Sequence, residues 1–285
     1  MSKLLAVDLD GTLFYPKKMN RCISKKNCRF LQHWIDAGNK VVLITSRNYR
    51  YIDRLKSEIN RPFDCLTSSS AQICVDNQLV RDVTIPREAL KNVIKKIDEK
   101  YHPLGYLMST KNENMVIRNN HIVGKILMFF YHIYYYFQYK YREQYILNNE
   151  IFDKELSTGD AYYVMIFFGL AKRKSKVAKE FNKAIREEFP EIEASWSSIV
   201  VELTPKDCHK GAGLSYYCDI NNISPDDVYV VGDSGNDIDM FKSFHEHSYC
   251  MAHSYPSVKK YAKHTISRVY KLDKLVLKGE KHESN

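Results

Sequence analysis

Two carboxylates, Asp8 and Asp10, stand two positions apart, directly ahead of Gly11 and Thr12. At the end of a strand such a pair converges on one point above a sheet, as a metal-assisted attack on a phosphate requires. The run Leu4-Leu5-Ala6-Val7 reads as that strand, buried and too short to span a membrane. Asp-x-Asp-Gly also occurs in solvated turns and calcium loops, so the motif needs a partner. A second apolar strand supplies one: Val228-Tyr229-Val230-Val231 runs into Gly232-Asp233-Ser234-Gly235-Asn236-Asp237. In a parallel sheet the carboxyl ends of strands form the crevice where ligands bind. Two acidic strand ends meeting there make an oxygen-rich site suited to Mg²⁺.

The elements around these acids alternate. Lys3 to Val7 is a predicted strand, Lys25 to Ala37 a helix closed by Gly38, Val41 to Ile44 a strand and Arg50 to Ile59 a helix. Cys65-Leu66 and Ile73 to Val75 follow as short strands. The alternation resumes with strand Ile199 to Leu203, helix Gly211 to Cys218, strand Val228 to Val231 and helix Asp237 to Phe244. Tyr249 to Met251 and Ser257 to Ala262 close the series. Such βα units with apolar strands predict an α/β fold, a doubly wound parallel sheet covered on both faces. Between them lies a stretch of different rhythm: helix Arg87 to Lys100, strands Leu104 to Met108, Asn114 to Ile117 and Ala161 to Phe168, and helix Lys172 to Glu188. We expect residues 1–83 and 193–285 to form a discontinuous core and residues 84–192 an inserted α+β module. The aromatic run Ile126 to Phe137, continued by Tyr139 and Tyr141, reads as a packed element of that module or an exposed patch.

Four segments stand in a telling order: Asp8-Leu9-Asp10-Gly11-Thr12, Val42-Leu43-Ile44-Thr45-Ser46-Arg47, His209-Lys210-Gly211 and Gly232 to Asp237. Together they resemble the haloacid dehalogenase superfamily of phosphatases, and within it the Cof-type sugar-phosphatase-like group. The resemblance implies a Rossmann-like core with an α+β cap domain inserted between the second and third motifs. It implies that Asp8 is the nucleophile, forming an aspartyl-phosphate, and that Asp10 protonates the leaving alcohol and later activates water. Thr45, at a strand end, would donate to a phosphate oxygen, with Gly11 and the N–H groups of Ser46 and Arg47 around the same anion. Lys210 fits the family's lysine, with Lys206 as the rival. Mg²⁺ would take the Asp8 and Asp233 side chains and the Asp10 carbonyl, and Asp237 would orient a water or the lysine from behind. A plain helix-start acid is the other reading of Asp237. Asn236 would contact the phosphate or hold the metal loop. Two departures stand out: Ser68-Ser69-Ser70-Ala71 where relatives have Asn-Gly-Ala, and Ala252-His253-Ser254 where they have Gly-Asn-Ala.

The expected substrate is a small phosphorylated metabolite, plausible as a sugar phosphate. A phosphomutase would use the same residues, and a non-catalytic ligand-binding protein could keep the fold. The chain of 285 residues carries a formal charge of +9, but its basic residues are spread, with a single cluster at Lys172-Arg173-Lys174 and Lys176. This reads as a solvated basic surface that favours anionic substrates, with neither nucleic-acid binding nor membrane insertion expected. Seven scattered cysteines lack metal-ligand spacing and read as reduced thiols. The apolar stretch after Lys3 ends at Asp8, too soon for a signal peptide, so a cytoplasmic location is expected. The sequence leaves the oligomeric state open.

Overall fold

A computed structural model of the chain describes residues 2–17, 21–112, 115–119, 145–169, 174–197 and 200–274, with scattered positions between 122 and 133. Two units divide it, Met1–Arg81 with Lys210–Asn285, and Asp82–His209. The first contains β1 (Leu4–Asp8), α1 (Lys25–Asp36), β2 (Lys40–Ile44), α2 (Tyr49–Ile59), β3 (Asp64–Thr67), β4 (Gln72–Val75) and β5 (Gln78–Asp82). The second contains α3 (Arg87–Lys100), β6 (Gly105–Thr110), β7 (Val116–Asn119), β8 (Ile146–Leu147), α4 (Asn149–Thr158), β9 (Ala161–Phe167), α5 (Lys174–Glu188), β10 (Ile192–Ser197) and β11 (Val200–Pro205). The first unit then resumes with α6 (Lys210–Ile220), β12 (Val228–Gly232), α7 (Ile238–Ser243), β13 (Ser248–Met251), α8 (Pro256–Lys259) and β14 (His264–Ile266).

Its sheet runs β14-β13-β12-β1-β2-β3-β4-β5. From β14 to β3 every pairing is parallel, and β4 turns back antiparallel on β3. The apolar run of β1 is buried along its whole length, as a parallel strand covered on both faces must be. Strand order reverses at β1, with β2 on one side and β12 on the other, which is where ligands bind in such sheets. Register then does the positioning. Val7 lies level with Leu43 and Val231, and Asp8 with Ile44. Asp8, Thr45 and Asp233 therefore emerge at one edge of three adjacent strands. α1 starts where the Ser24 side chain accepts the Asn27 N–H, and it buries Phe30, Leu31 and Trp34.

The second unit is a six-stranded sheet, β10-β11-β9-β6-β7-β8, antiparallel except for β7 and β8. Val93, Ile97, Phe152, Phe181 and Ile185 of its helices share a core with Tyr106, Val164, Ile166, Val201 and Leu203. The expected boundary at residues 192 and 193 is corrected here. The strand expected at Ile199 to Leu203 does not enter the parallel core: β11 pairs with β9, Val201 opposite Ile166, and β10 pairs with β11. The division therefore falls between His209 and Lys210. A short apolar strand carries no mark of the sheet it joins. The alternation of buried Ile192 and Ala194 with less buried Glu193 and Ser195 is the antiparallel signature that distinguishes this hairpin. The aromatic run from 126 to 141 and the basic pair Lys172-Arg173 fall largely or wholly outside the described residues. Among the described residues, no helix is long and apolar enough to cross a membrane.

Candidate active site

Lys210, first residue of α6, is buried and donates to Asp8 Oδ1 at 2.7 Å and to Asp237 Oδ1 at 2.6 Å. The second oxygen of Asp237 accepts the backbone N–H groups of Asp233 (2.8 Å) and Ser234 (2.9 Å). Both Asp237 oxygens are thus committed, one to the lysine and one to the loop. Gly232 makes this possible, because a Cβ there would lie 2.4 Å from Asp237 Cγ.

Asp8 is 4 % exposed, and its Oδ2 is buried with no hydrogen-bond partner. Carboxylate oxygens of Asp8, Asp233 and Asp237 lie within 4.8 Å of one another. Burial, and the charges of Asp237 and Asp233, push the Asp8 carboxyl well above its ordinary range despite the opposing pull of Lys210. Burial and Asp237 likewise raise Asp233. Burial lowers Lys210, yet Asp237 and Asp8 more than offset it and hold the ammonium charged. Three close carboxylates facing one lysine leave a local excess of negative charge. A divalent cation with a preference for oxygen ligands would relieve it, and the orphaned Asp8 Oδ2 is the kind of donor such an ion takes, so the residues fit Mg²⁺.

Asp233 Oδ1 accepts the Thr12 hydroxyl at 3.1 Å, while His253 Nε2 lies 3.7 Å from Oδ2. Gly11, at φ +81°, leaves room for Asp233: a Cβ on Gly11 would lie 2.3 Å from its Oδ2. Gly11→Ala is therefore expected to cost roughly 1–2 kcal/mol of stability and to displace Asp233. Thermal unfolding and the Mg²⁺ concentration for half-maximal activity would check it; unchanged values of both would refute this account of Gly11.

Asp10 projects outward and is gripped by Arg47, whose Nε and Nη2 donate to its two oxygens at 2.5 and 2.7 Å. Burial raises the Asp10 carboxyl, but the adjacent guanidinium outweighs this and holds it below the usual range. The Arg47 guanidinium also lies 4.2 Å over the Tyr51 ring. The Arg47 N–H does not face outward as expected; it donates to Thr45 Oγ1 at 3.1 Å. The expected pairing of the Ser46 and Arg47 N–H groups around one anion is therefore corrected for Arg47, because the turn folds its amide back onto the threonine. The Ser46 N–H has no partner among the described residues. Asn236 Oδ1 accepts the Ser234 hydroxyl at 2.7 Å. Lys206 is exposed on the turn after β11, and its N–H donates to Glu191 O. Of the two lysines, Lys210 is the one in contact with Asp8.

Three features escaped sequence reading. Thr12 and His253 both lie within named segments, yet nothing in their types announced contact with Asp233. The loop after β3 is the third: Ser68, Ser69 and Ser70 all have left-handed φ (+50°, +55° and +75°). The N–H groups of Ser68 and Ser69 donate to the carbonyls of Arg47 and Thr45. An L-residue in this region costs on the order of 1 kcal/mol, so the backbone bonds to the Thr45 turn offset real strain.

The model of the haloacid dehalogenase-like hydrolases matches residues 5–273, and the chain belongs to that family. It is 25 % identical over 297 residues to the Mycoplasma genitalium protein provisionally named phosphatase MG125, covering 94 % of this chain and 92 % of that one. The structure of SMU.1108c from Streptococcus mutans superposes with a TM-score of 0.79 at 20 % identity, covering 98 % of this chain and all of that one. The subclass IIB sugar phosphatase BT4131 gives 0.70 at 20 % identity, covering 99 % of each chain.

Proposed function

We propose that the protein is a Mg²⁺-dependent phosphatase that hydrolyses a small phosphorylated metabolite, of the sugar-phosphate class, through an aspartyl-phosphate on Asp8. The observation that carries this reading is Asp8 itself, with Oδ1 fixed by Lys210 and Oδ2 buried and unpartnered. Family membership and the relatives named as phosphatases support the reaction class. The free state of all seven cysteines supports a reducing, cytoplasmic setting.

A carboxylate meeting a phosphate dianion is repelled by about 4 kcal/mol per charge pair at ~4 Å and an effective dielectric of about 20, hence about 8 in total. Mg²⁺, when held by Asp8, Asp233 and the Asp10 carbonyl, would supply most of the neutralising charge. Lys210 adds a fixed ammonium beside the attacking carboxylate. An Asp8 carboxylate oxygen forms the bond to phosphorus as the bond to the leaving oxygen breaks. Thr45 Oγ1, which accepts the Arg47 N–H, keeps its own proton available for a phosphate oxygen. Asp10 gives the leaving oxygen its proton and later takes one from the water that frees Asp8. For this Asp10 must let go of Arg47; its half-exposed side chain has room to turn.

The test is a panel of phosphorylated metabolites assayed for phosphate release. A chelator is expected to reduce release to background and Mg²⁺ to restore it. Isomerisation of a sugar phosphate with little free phosphate would replace the hydrolase by a mutase. Asp10→Asn is expected to lose roughly a hundred-fold or more in turnover, as for loss of a positioned acid–base group; wild-type turnover would remove Asp10 from that role.

A further inference from the structure

β3 and β4 form a hairpin whose register sets Cys65 directly opposite Cys74. Directly opposed residues of an antiparallel pair share a face, with Cα atoms about 4.5 or 5.5 Å apart according to hydrogen-bonding position. Either value lies inside the roughly 4.4–6.8 Å that a disulfide spans. Both side chains are buried. No other cysteine faces a cysteine across the described strands.

The two sulfurs are not equivalent. The Tyr49 hydroxyl lies 3.6 Å from Cys74 Sγ. The neighbouring Cys65 thiol and the Tyr49 hydroxyl together outweigh burial and hold the Cys74 thiol below its ordinary value. Cys74 and burial push the Cys65 thiol up. Cys74 is therefore the sulfur held closer to the reactive thiolate, and Cys65 stands in place to resolve it.

We propose that Cys65 and Cys74 are a modification site, a dithiol that a hydroperoxide converts into a cross-strand disulfide. Cys74 sulfur attacks a peroxide oxygen; the O–O bond breaks, one water leaves and a sulfenic acid forms. Cys65 sulfur then attacks Cys74 sulfur, the S–O bond breaks and a second water leaves. The two thiols give up two hydrogens and two electrons, and hydrogen peroxide becomes two waters. The bond closes the base of the hairpin whose tip donates to the Thr45 and Arg47 carbonyls. It forms whether or not Asp8 is a nucleophile.

The full chain, reduced and then exposed to hydrogen peroxide, would be alkylated and digested with trypsin. The chain has no lysine or arginine between Arg61 and Arg81, and Arg61 precedes Pro62, so both cysteines remain on one peptide. The expected result is that peptide lighter by two hydrogens and unalkylated, reverting under reductant, while the other cysteines take the label. Full alkylation at both positions, an overoxidised Cys74 without a bridge, or a bridge to another cysteine would overturn the proposal. In Cys65→Ser, a sulfenic-acid probe is expected to mark Cys74, and in Cys74→Ser to leave Cys65 unmarked. The opposite pattern would overturn the order of attack. Mapping on the unmodified sequence decides the matter even if a variant misfolds.

Discussion

Asp8→Asn is expected to abolish phosphate release, by about ten-thousand-fold or more, while the protein stays folded. An amide nitrogen is no nucleophile, and removal of a covalent nucleophile costs up to about a million-fold in turnover, leaving only the contribution of binding and charge stabilisation. The change is isosteric, so packing around β1 is kept. Its effect on stability follows from charge. Asp8 is buried beside Asp237 and Asp233, which disfavour its ionised form. Neutralising it relieves repulsion, while Lys210 keeps Asp237 as a partner at 2.6 Å. The unfolding midpoint in the absence of metal is therefore expected to match or exceed that of the parent. A folded Asp8→Asn variant that turns over normally would remove Asp8 from the nucleophile's role. A large drop in midpoint would show that the charge balance has been misread.

Lys210→Ala is expected to damage both fold and activity. The lysine is the shared partner of Asp8 and Asp237, and all three side chains are almost wholly buried. Removing one member of a buried ionic cluster strands the others, at roughly 3–5 kcal/mol. Turnover should fall as well, because a fixed positive charge beside the reacting carboxylate is lost. The stability deficit has a pH signature. The Asp8 carboxyl is already raised by burial and by the neighbouring charges, and losing Lys210 removes the one group that opposes this. The Asp8 contribution is then present at low pH and lost as pH rises through its folded value, so the deficit should narrow on acidification. Denaturant unfolding at several pH values checks this; a deficit independent of pH would mean that packing alone is at stake. Lys206→Ala, on an exposed turn, is expected to stay within about 0.5 kcal/mol and to keep full activity.

The parallel core was readable because Leu4 to Val7, Val41 to Ile44 and Val228 to Val231 are apolar throughout and end in polar, chemistry-bearing residues. The same feature located Asp8, Thr45 and Asp233, since strand ends in register share an edge. Lys210 was readable from Gly211 and the helix that follows. Sheet membership of Val200 to Pro205 was not, because a strand this short fits either sheet and only its hairpin with β10 decides. β5 went unseen because its side chains are mostly exposed, leaving no apolar pattern. The Arg47 grip on Asp10 was equally hidden: a long side chain after β2 can reach several places, and local sequence does not say which carboxylate it finds. His253 was visible as a departure, not as a neighbour of Asp233.

The pairing of β1 has a consequence for synthesis on the ribosome. One edge of β1 meets β2, made soon after it, but the other waits for Val228 to Val231, behind the whole of the second unit. Throughout that interval the nascent chain holds an apolar strand with an unsatisfied backbone edge, the condition that invites mispairing between chains. Of the strands in this sheet, the one that carries Asp8 thus waits longest for its second neighbour, and slower translation of the middle of the message lengthens that wait.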